Sequence, residues 1–260
     1  MANHISDRAV VDPKAQIGDN VTIYPFAYIE GDVVIGDNCV IAPNVNVLNG
    51  TRMGNGCRVF QNTVLGAMPQ DFHFKGDETE LVIGNKVTFR ENVVVNRATF
   101  AGGQTVIGDK CFLMEGTHIS HDTKVGPHCV FGYGTKIAGD CEIGRGAVFS
   151  SNVIANPDVR VGDNAMILAG TTFSKDVPPY ILAGGTPVKY DGVNTVLLEY
   201  LHKEKKIQDH IANAYRLVFH GQTSLFDAVL QIQQQVPDSP EIQNIISFLK
   251  ASKLGIIGKM

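Results

Sequence analysis

One short segment of the chain places an imidazole directly beside a carboxylate. It reads GTHISHD and contains His118, His121 and Asp122. A carboxylate next to an imidazole can orient the ring and stabilise its protonated form, which is the arrangement that general-base catalysis uses. The pair can do this chemistry only if both side chains point away from the protein core. The secondary-structure elements that carry the segment therefore decide whether it can act in catalysis.

Those elements follow a six-residue repeat. Between residues 17 and 173, 25 of the 27 residues at every sixth position are apolar, and the exceptions are Asp71 and Asp77. A short repeat cannot bury an apolar face alone, so successive repeats must stack on a shared core. Glycine-containing turns recur 18 residues apart, which indicates three strands per coil. The sequence predicts a triangular prism of short parallel strands, with nine or ten coils over about residues 5 to 185.

The repeat also predicts the direction of individual side chains. The position four residues after each repeat residue is mostly small, and it contains all five cysteines: Cys39, Cys57, Cys111, Cys129 and Cys141. Small thiols in such a position pack as small hydrophobes, and their odd number fits a reducing compartment.

His121 comes two residues after the inward Ile119 and is expected to point outwards. Gly139 comes 18 residues after His121 and should lie against it on the next coil. A glycine there leaves its backbone N–H open to a ligand, as an oxyanion hole requires. A base and an oxyanion donor on adjacent coils are what acyl transfer to a hydroxyl needs.

Two stretches interrupt the repeat. Residues 66–80, GAMPQDFHFKGDETE, hold both polar exceptions, and a shorter glycine-rich interruption lies at residues 100–105. We call them the first and the second excursion. Loops that leave a rigid scaffold are where binding residues concentrate, so both excursions are expected near the site.

The pattern changes after residue 179, and the chain divides into a β-helix domain at 1–190 and a helical domain at 191–260. Residues 184–187, GGTP, are predicted to be a linker. The tail predicts three helices: one over residues 207–218 capped by Gly221, one capped by Ser224, and one from about Ser239. Its basic residues form either a solvated face or a docking patch for an acidic partner; they are Lys203, Lys205, Lys206 and Arg216.

The composition excludes several classes of protein. The formal net charge is −4 and no long run of like charge occurs, which disfavours bulk binding to nucleic acid. The first residues are polar, and no apolar run approaches the length of a membrane span. We therefore expect a cytoplasmic protein without stable membrane insertion.

The repeat resembles that of the hexapeptide acyltransferases, whose fold is a left-handed parallel β-helix. Within that superfamily the chain is similar to the UDP-N-acetylglucosamine O-acyltransferases, which begin lipid A synthesis. The resemblance covers essentially the whole chain. It rests on Gln70 with Asp71 and on residues 96–99 (NRAT), 118–122 (HISHD), 176–180 (DVPPY), 192–194 (GVN) and 213–215 (NAY).

This resemblance implies an enzyme that moves an (R)-3-hydroxyacyl group from acyl carrier protein to the glucosamine 3-hydroxyl of UDP-GlcNAc. It implies that His121 is the general base, that Asp122 holds the imidazole, and that the Gly139 N–H meets the developing oxyanion. No cofactor is expected, because the phosphopantetheine of acyl carrier protein carries the acyl group. The family is a homotrimer with sites between subunits.

The resemblance also implies the substrate contacts. Asp71 and His118 would contact the sugar, Gln70 the nucleotide sugar or the acyl group, and Asn194 the pantetheine. Well-known members carry a lysine where this chain has His73, so a cation at that position depends on pH.

Other positions depart from the family pattern around the same site. Asp140 stands where a histidine is common, and Asn156 with Pro157 replaces a His-Gln pair. Tyr200 occupies a position that is often arginine, and Ala169 replaces a glycine associated with acyl-chain length. The acyl-chain length, and the choice between UDP-GlcNAc and a 3-amino analogue, therefore stay open.

Four other functions fit parts of the pattern. An acetyl-CoA-dependent sugar or serine O-acetyltransferase shares the fold, as does a related N-acyltransferase that normally has an additional N-terminal domain. In a γ-class carbonic anhydrase, His118 and His121 would need a third ligand from another subunit, and no metal site is predicted. A binding solenoid without enzymatic activity would leave the outward pair of His121 and Asp122 unexplained.

Overall fold

The computed structural model describes residues 2–221 and 223–258. Its larger part is a parallel β-helix with three sheets, each formed by every third strand along the chain, except that the first sheet ends in a hairpin of two consecutive strands. The first sheet has eleven strands: β1 (His4–Ile5), β4 (Thr22–Ile23), β7 (Val40–Ile41), β10 (Arg58–Val59), β13 (Thr88–Phe89), β16 (Phe112–Leu113), β19 (Val130–Phe131), β22 (Val148–Phe149), β25 (Met166–Ile167), β27 (Ile181–Gly184) and β28 (Lys189–Val193).

The other two sheets complete the prism. The second has nine strands: β2 (Val10–Val11), β5 (Tyr28–Ile29), β8 (Asn46–Val47), β11 (Val64–Ala67), β14 (Val94–Asn96), β17 (His118–Ile119), β20 (Lys136–Ile137), β23 (Ile154–Ala155) and β26 (Thr172–Phe173). The third has eight: β3 (Gln16–Ile17), β6 (Val33–Ile35), β9 (Thr51–Met53), β12 (Glu80–Ile83), β15 (Gln104–Ile107), β18 (Lys124–Val125), β21 (Glu142–Ile143) and β24 (Arg160–Val161).

The apolar repeat forms the core of this prism. Each repeat residue stacks on its counterpart in the neighbouring coil, as Ile119 does on Ile137. The rings of Phe131 and Phe149 stack in the same way, with their centroids 4.9 Å apart. All five cysteines are buried and free, as the small inward position predicted. The hexapeptide pattern thus determines both the strand register and the core.

The corners of the prism need a left-handed backbone at the third residue after most repeat positions. Asn38, Asp122, Asp140 and Asn152 all have φ between 56° and 61° there. A short polar side chain tolerates this conformation better than a branched or bulky one, which explains the many Asn and Asp residues at the corners. The corner geometry therefore sets the backbone of Asp122.

Both excursions rejoin the repeat in phase. Across the first, paired strands lie 30 residues apart instead of 18, as Val64 and Val94 do. Across the second, the spacing is 24 residues, as between Val94 and His118. The extra lengths are multiples of six, so the inward and outward positions are preserved beyond each excursion. Residues 68–79 of the first excursion form neither helix nor strand.

The structure corrects the prediction of a linker at residues 184–187. Gly184 ends β27, and residues 185–188 form the tight turn to β28, which pairs antiparallel with β27 on the edge of the first sheet. Gly185 has a φ of 90° in this turn, a conformation that glycine adopts readily. Linkers and tight turns are both rich in glycine and proline, so composition alone does not distinguish them.

Four helices follow, where the sequence predicted three. They are α1 (Thr195–Tyr200), α2 (Lys205–Phe219), α3 (Leu225–Gln235) and α4 (Pro240–Ala251). The short α1 was missed because six residues are too few for a helical period. Ser224 and Ser239 cap α3 and α4 as predicted, whereas the C-cap residue of α2 is His220, directly before Gly221.

The helices pack on the end of the β-helix. Tyr215 is completely buried, and its hydroxyl donates to the carbonyl of Pro179 at 2.6 Å. The ring of Tyr190 stacks on that of Phe219 at 4.3 Å. Within residues 2–221 and 223–258, no helix is both long enough and apolar enough to cross a membrane.

The stacked core predicts a large loss of stability when a buried ring is removed. Phe131→Ala should lower the free energy of unfolding by about 3–5 kcal/mol, because it deletes a fully buried ring and leaves a cavity. Phe72→Ala is the matched control, since Phe72 is fully exposed and should change stability by about 0.5 kcal/mol or less. Urea unfolding of the two variants measures the difference, and equal losses would contradict this account of the core.

Candidate active site

His121 lies at the corner between the second and third sheets, two residues after the end of β17. Its side chain is only 12% exposed, and its Nδ1 is 3.0 Å from Oδ2 of Asp122. A neutral imidazole that donates from Nδ1 keeps its lone pair on Nε2. The pair is therefore oriented as a general base with Nε2 as the reacting atom.

Thr99, directly before the second excursion, and Thr105, at its end, hold Asp122 in place. Its Oδ2 also accepts the backbone N–H of Thr99 at 3.0 Å, and its own N–H donates to Oγ1 of Thr105 at 2.8 Å. These bonds and the left-handed corner leave the carboxylate little freedom. Sequence reasoning assigned no role to Thr99 or Thr105. The signal for Thr99 was present, because it ends the NRAT segment.

The first excursion brings Asp71 to the other nitrogen of the same ring. Oδ1 of Asp71 lies 2.8 Å from both the backbone nitrogen and Nδ1 of His73. The backbone N–H of His73, and then its imidazole, hold the pKa of Asp71 below its ordinary value, so the carboxylate is ionised. Its Oδ2 is 3.8 Å from Nε2 of His121, too far for a hydrogen bond. Nε2 thus stays available to an incoming hydroxyl.

Gly139 lies one coil beyond His121, as the 18-residue spacing predicted. A Cβ at this position would be 2.4 Å from Cε1 of His121, so only glycine fits against the ring. In the part of the chain that the structure describes, the N–H of Gly139 donates to no protein acceptor. It is a free donor beside the base, placed where an oxyanion could accept it.

His118 occupies an outward position on β17, between Val94 and Lys136 of the neighbouring strands. Burial, followed by the charges of Lys136 and His121, lowers the pKa of His118 below the ordinary histidine value. The ring is therefore neutral near pH 7. It can form hydrogen bonds to a polar ligand but brings no positive charge.

The remaining predicted contacts are less close to the base. Gln70 is exposed on the first excursion beside Asp71. Asn194 is buried elsewhere: it accepts the N–H of Leu197 as the cap of α1 and donates to the carbonyl of Asn164. A single chain therefore does not bring Asn194 to His121.

Among the residues that depart from the family pattern, Asp140 interacts with the charges of the site. Burial, and then the charge of Asp122, raise the pKa of Asp140 above its ordinary value. Ala169 and Tyr200 are exposed, and Asn156 is half-buried. Among the described contacts, none joins Ala169, Tyr200 or Asn156 to His121.

Metal ligation was the competing interpretation of the two histidines. Among the described residues, no group of three or more His, Cys, Asp or Glu side chains is arranged to hold a metal ion.

A prism of hexapeptide coils with a carboxylate-oriented base beside a free N–H donor defines a hexapeptide-repeat acyltransferase. The model for the bacterial transferase hexapeptide matches residues 14–49 and 104–139. The model described as UDP N-acetylglucosamine O-acyltransferase, domain 2, matches residues 176–257. Both the repeat and the tail therefore match known families.

Whole proteins match over nearly the full length. An acyl-[acyl-carrier-protein]–UDP-N-acetylglucosamine O-acyltransferase from Sulfurihydrogenibium sp. is 49% identical over 97% of this chain and 93% of its own length. The enzyme of that name from Thermodesulfovibrio yellowstonii is 34% identical over 98% and 99%. A solved UDP-N-acetylglucosamine acyltransferase from Bacteroides fragilis is 45% identical, with a TM-score of 0.96 over 97% and 99% of the two chains.

The chain belongs to the UDP-N-acetylglucosamine O-acyltransferase family. It is an O-acyltransferase, and its prism is the left-handed parallel β-helix that the repeat and the resemblance predicted.

The surroundings of His118 generate a prediction about its titration. Lys136→Met should raise the pKa of His118, because it removes a neighbouring positive charge that disfavours the protonated ring. The pKa of His118 in the folded protein lies below that in the unfolded chain, so the unfolded chain binds the proton first. The free energy of unfolding should therefore decrease as the pH falls from the ordinary histidine pKa to the lower pKa of the folded state.

NMR titration of the labelled imidazoles measures the shift. Lys124→Met is the control, because Lys124 is exposed on the third sheet and is not among the charges that act on His118. An unchanged titration of His118 in Lys136→Met would contradict the electrostatic account.

Proposed function

We propose that this chain transfers an (R)-3-hydroxyacyl group from acyl carrier protein to the glucosamine 3-hydroxyl of UDP-GlcNAc. Its relatives are named for acyl transfer from acyl carrier protein to UDP-N-acetylglucosamine, which does not favour an acetyl-CoA donor. One observation carries the proposal: the imidazole of His121 lies between two carboxylates and beside the Gly139 N–H, which has no acceptor among the described residues.

The reaction follows from that geometry. Nε2 of His121 takes the proton of the sugar hydroxyl as its oxygen attacks the thioester carbonyl. A C–O bond forms, and the N–H of Gly139 donates to the oxygen that becomes negative. The C–S bond then breaks, and the departing thiolate of phosphopantetheine receives the proton from His121 and leaves as the thiol. No resident cofactor takes part, because the donor brings its own prosthetic group.

The two carboxylates act on the charge that develops on the ring. Asp122 accepts from Nδ1 throughout the reaction, so the imidazolium is stabilised without changing its orientation. Asp71 faces the other nitrogen and stabilises the same positive charge across 3.8 Å. The neutral His118, with Gln70 and His73, would contact the nucleotide sugar on the open side of the corner.

We expect the working enzyme to be a homotrimer. His121 lies on an open corner of the prism. Because Asn194 of the same chain does not reach this corner, the Asn194 of a neighbouring subunit would have to supply the contact to pantetheine. The outer face of the first sheet offers a surface for association, because its stripe is apolar and only half-buried. The stripe consists of Phe112, Val130, Val148, Met166 and Leu182.

The mass in solution tests this assembly. Light scattering should give three times the chain mass of 28.1 kDa. Val148→Glu should lower that mass, because it places a charge in the middle of the apolar stripe. Gln234→Glu introduces the same residue on the exposed face of α3 and should leave the mass unchanged. A trimer that tolerates Val148→Glu would exclude the first sheet as its interface.

Docking of acyl carrier protein on the helical tail stays a prediction. Lys203 pairs with Glu241, and Lys205 pairs with Asp209 at 3.1 Å. Lys206 and Arg216 are exposed. Their charges are the ones best placed to attract an acidic carrier. The cytoplasmic location of this reaction also stays a prediction.

The general-base role predicts that His121→Ala abolishes acyl transfer, by about 1,000-fold or more, because it removes the imidazole that accepts the hydroxyl proton. His128→Asn is the control, since His128 is an exposed corner histidine with a φ of 63° that asparagine also adopts. Retention of a tenth of the activity by His121→Ala would exclude the role.

Product analysis tests the donor and the chain length together. The enzyme receives a mixture of 3-hydroxyacyl carrier-protein thioesters and UDP-GlcNAc, and mass spectrometry identifies the esters formed. We expect one dominant chain length. Acetyl transfer from coenzyme A at comparable efficiency would overturn the proposed donor.

A further inference from the structure

We propose that Asn96 is a positioning residue, which anchors the first excursion so that Asp71 faces His121. The inference rests on the proposed function, because it concerns the same site. Neither the six-residue repeat nor the catalytic geometry requires a role for Asn96.

Asn96 is buried where the repeat predicts an exposed side chain. It follows the inward Val95 at the end of β14, so its side chain should point outwards. Its exposure is nevertheless 0%. Its Nδ2 donates to the carbonyl of Met68 at 2.6 Å and lies 3.4 Å from the carbonyl of Ala67. Ala67 and Met68, at the start of the first excursion, therefore cover Asn96 and accept hydrogen bonds from it.

The sheet is irregular at the same place. The pairing of β11 with β14 shifts register between Leu65 and Ala67, which brings Ala67 opposite Asn96. Gly66, at the shift, has a φ of 77°, and a Cβ there would be 2.3 Å from Oγ1 of Thr51. Such irregularities redirect a strand next to active sites. Asn96 holds the chain in its new direction.

The anchored carbonyl is close to Asp71 along the chain. Only Pro69 and Gln70 separate Met68 from Asp71, and the buried Pro69 has a restricted φ. Asp71 then forms its own local turn with His73. A change in direction at Met68 therefore moves the Asp71 carboxylate relative to His121.

A second anchor lies further along the excursion. The guanidinium of Arg97 lies 5.5 Å from the ring centroid of Phe74, and its Nη1 donates to the carbonyl of Asn49. This contact follows Asp71 in the chain, whereas the Asn96 contact precedes it. Loss of the Asn96 hydrogen bonds should therefore free the segment before Asp71, while the Arg97 contact still holds the segment after it.

The chemistry requires an amide at this position. Both partners of Nδ2 are carbonyl oxygens, so the side chain must donate. Aspartate has nearly the same shape but would direct a carboxylate oxygen at two acceptors. Asn96→Asp therefore tests the donor, and Asn96→Ala tests the side chain as a whole.

Kinetics distinguish positioning from general stability. Asn96→Ala should lower kcat/KM for the nucleotide sugar by about 10- to 100-fold, because displacing a site residue by about 1 Å has an effect of that size. Asn96→Asp should be at least as damaging. The control is Thr135→Val, which removes the buried hydroxyl that donates to Ser150 far from the excursion. It should lower Tm without a comparable loss of rate.

A double-mutant cycle tests the route through Asp71. If Asn96 acts by placing Asp71, then Asn96→Ala should cause little further loss in an Asp71→Asn background. Independent, multiplicative losses would overturn the inference. So would a normal rate in both Asn96→Ala and Asn96→Asp.

Tryptic cleavage gives a readout that needs no activity. Lys75 is exposed on the excursion, and its cleavage in the folded protein should accelerate in Asn96→Ala but not in Thr135→Val. Unchanged cleavage would show that Asn96 does not anchor the loop. If the wild-type protein showed no acyl transfer, the proposed function would be refuted. The cleavage result would still decide whether Asn96 anchors the loop.

Discussion

The structure depends on the stacking of one coil upon the next, in which strands pair residues 18 apart and backbone hydrogen bonds join them, most often between residues 17 apart. Short strands of two to five residues would not persist alone, because ordering each residue costs about 1–2 kcal/mol of backbone entropy. Stacking compensates this cost by burying a continuous apolar column, in which Ile119 lies on Ile137. The same stacking sets the distance between any residue and its counterpart one coil away. His121 and Gly139 are adjacent for this reason alone.

The site is then built from departures from the repeat. The corner conformation orients Asp122, and Thr99, directly before the second excursion, donates its N–H to the carboxylate. The first excursion brings Asp71 to the opposite side of the imidazole. Each excursion adds a multiple of six residues, so the core beyond it is unchanged. A rigid prism can therefore carry irregular loops at the active site without loss of register.

The repeat and the tail differ in how directly the sequence determines their structure. The outward direction of His121 and the burial of Cys129 followed from counting, because a solenoid relates sequence distance to spatial distance directly. The tail has no such relation. A tight hairpin was mistaken for a linker at Gly185, and α1 was missed, because glycine and proline mark every kind of turn and six residues show no helical period.

The sequence alone therefore determined the strand register, the inward column and the pairing of a base with a glycine one coil away, since these depend only on a fixed local period. Only the tertiary structure decided which groups from outside the period reach that base. The burial of Asn96, the bond from Thr99 and the approach of Asp71 depend on how two irregular loops fold back on the prism. Such loops have no repeating pattern, and their conformation follows from contacts between residues distant in sequence.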